Sequence, residues 1–265
     1  MTHNLGILGA TGWLGQGLGL GLLRRNLWPE QHLLLLNRSG EAPAYKAWPG
    51  VRMAKDLADL QENCDLIVLS LRPEDFPPAG FAPGEQLLIS FMAGVTLAQL
   101  RALAPRARLV RAMPNGGAVS GTSWTPWLGE GLQPGDADLV RGILSAMGDE
   151  VRIESEAQLD LLSALSGSGP AYPALLVGAL YTKALAMGLQ PAIAWPAVRS
   201  ILTGAAPALG QGPEAAAEIL KAMHSYRGIT SAGLQAAEAA GFSQAVAAAL
   251  EAAVAKAAAM GQEKG

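Results

Sequence analysis

Gly6-Ile-Leu-Gly9-Ala-Thr-Gly12-Trp-Leu-Gly15 is the first stretch of this sequence whose residue types and spacing suit a chemical task. It follows a short apolar run and opens a helical pattern. Glycines there let the backbone turn tightly and approach a pyrophosphate, while the free N–H groups and dipole of a helix N-terminus attract negative charge. From Gly9 the spacing is G-x-x-G-x-x-G rather than the commoner G-x-G-x-x-G. Gly9, Ala10, Thr11, Gly12, Trp13 and Leu14 are therefore candidate cofactor-binding residues. The second apolar run ends at Leu36 and is followed by Asn37-Arg38-Ser39. An NAD enzyme places Asp or Glu at that tip to receive the ribose hydroxyls. Here the tip offers hydrogen-bond donors and a planar guanidinium, which suits a 2′-phosphate. NADP(H) is the cofactor these residues favour, with NAD(H) as the other possibility.

Other chemistries are poorly supplied. Cys64 is the only cysteine, so no internal disulfide and no thiolate metal cluster is expected, in keeping with a reducing compartment. His3, His32 and His224 lie far apart without local ligand spacing, and no metal site is expected. Tyr181-Thr-Lys183 lacks the Tyr-x-x-x-Lys spacing of short-chain dehydrogenases.

The elements that must position the glycine turn are legible as a change of period along the chain. Leu5–Leu8, His32–Leu36, Asp65–Leu71, Leu87–Phe91 and Leu109–Ala112 read as buried strands, and Trp13–Arg25, Asp56–Glu62 and Thr96–Ala104 as crossover helices. A strand around Ser123, a helix over Asp136–Met147 and a strand over Glu150–Ile153 complete a doubly wound, mostly parallel sheet. After about Ser155 strand patterns vanish. Ala- and Leu-rich helices follow: one from Pro170 to about Met187, then Pro191–Leu209, Glu214–Ser225, Ser231–Ala239 and Ser243–Met260. Serines 166 and 168 are of the type that caps a helix start. The expected organisation is α/β plus all-α: a Rossmann-type domain over 1–155 and a helical domain over 156–265. Small side chains bury little area each, so the helical part is expected to gain stability from a second copy of the chain.

Composition narrows the partners. The chain has 265 residues, half of them apolar, and a net charge of −3 without charge blocks. That excludes a footprint for nucleic acid or an anionic membrane and favours a small soluble ligand. No apolar run reaches the ~18 residues that a membrane span requires. The N-terminus lacks the basic start and cleavage site of a signal peptide, so a cytoplasmic location is expected.

Several blocks, in order, resemble the pyrroline-5-carboxylate reductase family along nearly the whole chain. Asp65-Leu-Ile-Val-Leu-Ser-Leu-Arg-Pro73 is similar to the family's strand ending in a basic residue and proline, with Arg72 in place of lysine. Ile89-Ser-Phe-Met-Ala-Gly-Val-Thr-Leu-Ala-Gln-Leu100 and Arg108-Leu-Val-Arg-Ala-Met-Pro-Asn115 resemble the next two blocks. Gly116-Gly117 then stands where the family has Thr-Pro. Ala164-Leu-Ser-Gly-Ser-Gly-Pro-Ala-Tyr172 matches almost residue for residue. Ser225-Tyr-Arg-Gly-Ile-Thr-Ser-Ala-Gly-Leu234 resembles the Ser-Pro-Gly-Gly-Thr-Thr-like substrate loop, with Tyr226, Arg227 and Ile229 replacing Pro, Gly and Thr.

The resemblance implies reduction of 1-pyrroline-5-carboxylate to L-proline, the chemistry of proline biosynthesis, in an intertwined homodimer or a larger assembly of dimers. It adds Ser70, Leu71, Arg72, Ala93 and Asn115 to the cofactor set. It assigns Ser225, Arg227, Gly228, Ile229 and Thr230 to an imino-acid substrate, with the Thr230 hydroxyl beside the imine nitrogen. A purely capping role for Thr230 stands beside this reading. Arg227 either adds a bidentate partner for the carboxylate or intrudes on a small substrate. Two rival functions stand beside the first: a related imine or ketone reductase with another substrate, and a non-catalytic NADP(H)-binding protein.

Overall fold

The computed structural model describes residues 3–210 and 212–262. It divides into two compact units, 1–169 together with 253–265, and 170–252.

The first unit is built on an eight-stranded sheet of order β3-β2-β1-β4-β5-β6-β7-β8. Its strands are β1 (Leu5–Leu8), β2 (Leu33–Leu36), β3 (Arg52–Met53), β4 (Leu66–Leu69), β5 (Leu87–Ser90), β6 (Arg108–Ala112), β7 (Ser123–Glu130) and β8 (Gly148–Arg152). All neighbours pair in parallel except β6 and β7. The expected doubly wound, mostly parallel sheet is therefore present. The strand period of two sorts each run between two cores. Leu5, Ile7, Leu33, Leu35, Leu66 and Val68 face α1 (Trp13–Arg24) and α4 (Asp136–Leu144). Leu8, Leu34, Ile67, Leu69, Leu88 and Leu109 face α2 (Leu57–Asn63), α3 (Leu97–Leu103) and α5 (Glu156–Leu162). Because both faces are covered, the central strands β1, β2 and β4 read as unbroken apolar runs.

Helix starts follow local chemistry. Asp56 caps α2 by accepting from the Asp59 N–H, and Thr96 with Gln99 forms a complete capping box on α3. The stretch Ser166–Gly169 departs from the capping expectation. Ser163–Gly167 forms a π-turn continuing α5, and the Ser166 hydroxyl donates backward to the Leu162 carbonyl at 2.9 Å. Pro170 instead takes the cap position of the next helix, with φ −65°.

The second unit holds α6 (Ala171–Ala186), α7 (Pro191–Leu209), α8 (Glu214–Ser225), α9 (Ile229–Ala239) and the first half of α10 (Phe242–Gln262). Tyr181 of α6 meets Trp195 of α7 edge to face, with centroids 5.7 Å apart. Val177, Ala194 and Val198 are buried, whereas Leu175, Met187 and Ile193 are 60% exposed or more. A single copy thus leaves a large apolar surface in water, the pattern of a surface that needs a partner. No helix among the described residues is long and apolar enough to cross a membrane.

Cys64 is 5% exposed, at the end of α2, and burial pushes its thiol up to about 12. The thiolate is the nucleophile, so both access and ionisation are suppressed. Alkylation by iodoacetamide at pH 8 is expected to run about 100-fold slower in the native protein than in urea. Intact-mass spectrometry over time reads the rate, and prompt native labelling would show that α2 opens readily.

Candidate functional site

The nucleotide turn forms where the sheet order reverses, since β1 pairs with both β2 and β4. Ligands of open α/β sheets bind at the carboxyl ends of strands at such a point. Gly9 adopts φ +88°, the left-handed region, and a Cβ built there would fall 2.2 Å from the Ser70 carbonyl oxygen. Its N–H donates to the Leu36 carbonyl at 2.8 Å, and the Gly12 N–H donates to the Gly9 carbonyl at 3.1 Å. Helix α1 then opens at Trp13 with no side-chain cap and no acidic residue in its first turn. The first-turn N–H groups lack intrahelical acceptors, and the helix end is left positive.

Tyr45 fixes this turn from beneath. Its buried hydroxyl shares its one proton between the carbonyls of Ala10, at 3.3 Å, and Gly15, at 3.5 Å. Burial raises its pKa above the usual phenol value, so it acts as a neutral donor. Ala10 is fully buried against the core, and Trp13 is 65% exposed at the mouth of the helix.

Above the turn lies a cleft of about 670 Å³. It brings together Gly9, Thr11, Gly12, Asn37, Arg38, Ser39, Ser70, Leu71 and Arg72 from the sequence-derived set. Asn37 donates to the Glu41 carbonyl at 3.0 Å, and the Ser39 hydroxyl donates to Asn37 Oδ1 at 3.2 Å, so the tip of β2 is internally braced. Arg38 Nη2 donates to Asp75 Oδ2 at 3.2 Å, and Arg72 Nη1 lies 3.8 Å from Glu74 Oε1. Asp75, Pro78 and Ala79 also line the cleft, and no motif in the sequence announces them.

Ala93 and Asn115 are not among the residues lining this cleft. Ala93 follows β5, half-buried, beside Gly94, where a Cβ would fall 2.6 Å from the Met260 Cβ of α10. Asn115 follows β6. Its N–H donates to the Ser123 hydroxyl at 3.0 Å, and its side-chain oxygen accepts from the Gly117 N–H at 2.8 Å. A proline at 117 would lack that donor, which gives the Gly116-Gly117 departure a local reason.

The second cluster lies wholly in the second unit. Ser225 ends α8, with its hydroxyl donating to the Ala222 carbonyl at 2.8 Å. Tyr226 is 86% exposed and Ile229 94%. Arg227 sits at φ +52°. That conformation disfavours side chains and suits the glycine of the family's loop. Gly228 is the cap residue of α9 and offers no side-chain hydrogen bond, and no acid occupies the first turn. Thr230 lies exposed inside that first turn, one residue past the helix start, so it is not the cap. His224 Nε2 lies 3.3 Å from Glu238 Oε1 and ties α8 to α9 across the turn. The result is an uncapped helix N-terminus carrying serine, threonine and arginine, which is suited to a small carboxylate.

Comparison with known proteins covers both units. The family model for pyrroline-5-carboxylate reductase dimerisation matches residues 156–260. A pyrroline-5-carboxylate reductase of Mycobacterium tuberculosis is 30% identical, over 91% of this chain and 92% of that protein. The crystal structure of 1-pyrroline-5-carboxylate reductase from Streptococcus pyogenes superposes with a TM-score of 0.84 at 26% identity, covering 97% of this chain and 98% of that one. The Plasmodium falciparum pyrroline carboxylate reductase, solved with NADP bound, gives a TM-score of 0.84 at 24% identity, with 98% of each chain covered.

Proposed function

We propose that this chain, which belongs to the pyrroline-5-carboxylate reductase family, reduces 1-pyrroline-5-carboxylate to L-proline with NADPH in proline biosynthesis. The observation that carries this reading is the relationship to a reductase of that name along 91% of the chain. The cleft residues fit the cofactor. A tight glycine turn at an uncapped helix end suits the pyrophosphate, and a β2 tip with Arg38 and no carboxylate suits a 2′-phosphate. NAD(H) is the weaker alternative.

When bound, NADPH supplies the hydride. The chain's own residues bind, orient and assist the proton. Gly9 and Ala10 form the turn from which Thr11, Gly12, Trp13 and Leu14 would hold the pyrophosphate, and Asn37, Arg38 and Ser39 would hold the adenosine ribose end. Ser70, Leu71 and Arg72 line the cleft, and Ala93 and Asn115, on the loops after β5 and β6, would meet the nicotinamide end. Residues 1–155 act as the NADP(H)-binding domain and 156–265 as the substrate-binding and dimerisation domain.

A cyclic iminium is already electrophilic, so the protein needs no strong acid or nucleophile. The N–H groups opening α9, with Ser225 and Gly228, seat the substrate carboxylate, and the flanking Arg227 and Ile229 shape the seat. The Thr230 hydroxyl hydrogen-bonds the ring nitrogen and orients it, while solvent supplies the iminium proton. The chain works as a homodimer or a larger assembly of dimers in the cytoplasm.

The test is NADPH consumption with pyrroline-5-carboxylate by the wild type and Thr230→Ala. Loss of one net hydrogen bond predicts a fall in kcat of about tenfold, with NADPH affinity unchanged by fluorescence titration. Unchanged turnover would return Thr230 to an ordinary helix surface position. A second reading is favoured by Arg227 occupying a glycine's conformation beside Tyr226 and Ile229. It is a related reductase for a different imino acid or a ketone, and a substrate panel separates the two. A non-catalytic role would show as NADPH binding without turnover on any member of that panel.

A further inference from the structure

Asp75 reaches the nucleotide cleft from the short turn Pro73–Asp75 that follows β4, and it is the only carboxylate among the described lining residues. It meets Arg38, the guanidinium assigned above to the 2′-phosphate, at 3.2 Å. The other lining cation, Arg72, is turned toward Glu74.

We propose that Asp75 sets the cofactor discrimination of this cleft, competing with the adenosine 2′-phosphate for Arg38 and offering an acceptor to the 2′-hydroxyl of the unphosphorylated ribose. The proposal rests on the reading of the cleft as a dinucleotide site. A 2′-phosphate brings a charge of about −1.5 to −2 and must share Arg38 with the carboxylate that engages its Nη2, remaining beside a like charge. An unphosphorylated ribose leaves the Arg38–Asp75 pair intact. It finds in Asp75 the acceptor that NAD enzymes place at the tip of β2, supplied here from across the cleft.

The pair is open to water, with side-chain exposures of 89% for Arg38 and 36% for Asp75. The effect is therefore a graded bias and not a block. The chain accepts both dinucleotides, and its preference for the phosphorylated one is smaller than Arg38 alone would give.

The experiment titrates the full-length protein calorimetrically with 2′,5′-ADP and with 5′-AMP, probes that differ in the 2′-phosphate. The wild type is expected to bind both within about tenfold of each other. Asp75→Asn is expected to tighten 2′,5′-ADP about fivefold and to weaken 5′-AMP about twofold, so that the affinity ratio rises about tenfold. Asp75→Glu restores the wild-type ratio. An unchanged ratio in Asp75→Asn, with both probes bound, overturns the proposal and leaves the dinucleotide reading standing. Failure of both probes to bind the wild type would remove the dinucleotide reading and this proposal with it. Matching melting temperatures for wild type and Asp75→Asn confirm that the comparison is between folded proteins.

Discussion

Gly9→Ala is expected to weaken NADPH binding by about 100-fold and to lower the melting temperature by about 5–10 °C. Two effects add. Gly9 sits at φ +88°, where an L side chain costs roughly 1–2 kcal/mol. Its Cβ would also fall 2.2 Å from the Ser70 carbonyl oxygen, which belongs to backbone just past the end of β4 and has no rotamer through which to yield. The turn must open, and the Gly9 N–H bond to Leu36 and the Gly12 N–H bond to Gly9 open with it. Those bonds set where α1 begins, so the N–H groups assigned to the pyrophosphate lose their common direction. Fluorescence titration with NADPH and a thermal melt read the two effects separately. If Gly9→Ala melts lower yet binds NADPH normally, the turn is structural and the phosphate seat lies elsewhere.

The parts of this unit that were legible beforehand share a physical cause. β1, β2, β4 and β5 are covered on both faces, so each reads as a short, almost wholly apolar run, β6 shows Leu109-Val110 between Arg108 and Arg111, and the Gly9–Gly15 turn follows the first of them. β3 was not legible. Arg52–Met53 is exposed and only two residues long, and its place is set by pairing with Leu34 and Leu35. Ser166 resembles a cap in sequence, yet the π-turn at the end of α5 gives its hydroxyl a nearer acceptor at Leu162. Among the candidate site residues, those on the β1, β2 and β4 ends fall together because strand register brings the ends together. Asp75 escaped notice because its meeting with Arg38, 37 positions away, depends on tertiary structure that no local pattern encodes. The φ of Arg227 was likewise invisible, since a non-glycine residue at +52° contradicts its own local preference.

A half-buried charge cluster between β6 and α5 gives the second large effect. Arg111 of β6 is 2% exposed, and its Nη1 donates to Glu156 Oε1 at the start of α5. Its Nη2 lies 3.9 Å from Asp160 Oδ1 one turn later. Glu156 also accepts the Leu97 N–H at 2.9 Å and so holds the first turn of α3. Arg111→Met removes the only cation of this triad and leaves two carboxylates facing each other at the edge of the core. A loss of about 3 kcal/mol in urea unfolding at pH 7 is expected.

Asp160→Asn is expected to behave in the opposite way. Burial raises the Asp160 carboxyl, Arg111 lowers it by less, and Glu156 raises it further. A carboxyl whose folded pKa exceeds its unfolded value binds its proton more tightly in the native state. Its contribution is present below the ordinary carboxylate range and is lost as pH rises through the raised folded value. The amide carries no charge to desolvate, so Asp160→Asn is expected to match or slightly exceed wild-type stability at pH 7. It should also flatten the fall in stability that the wild type shows above the carboxylate range. Urea midpoints at pH 4 and pH 7 for both variants decide the matter. A stable Arg111→Met protein would show that apolar packing around Leu159 holds α5 to the sheet without help from the charges, and an Asp160→Asn protein that unfolds more easily at pH 7 would show that attraction to Arg111 outweighs the cost of burying the carboxylate.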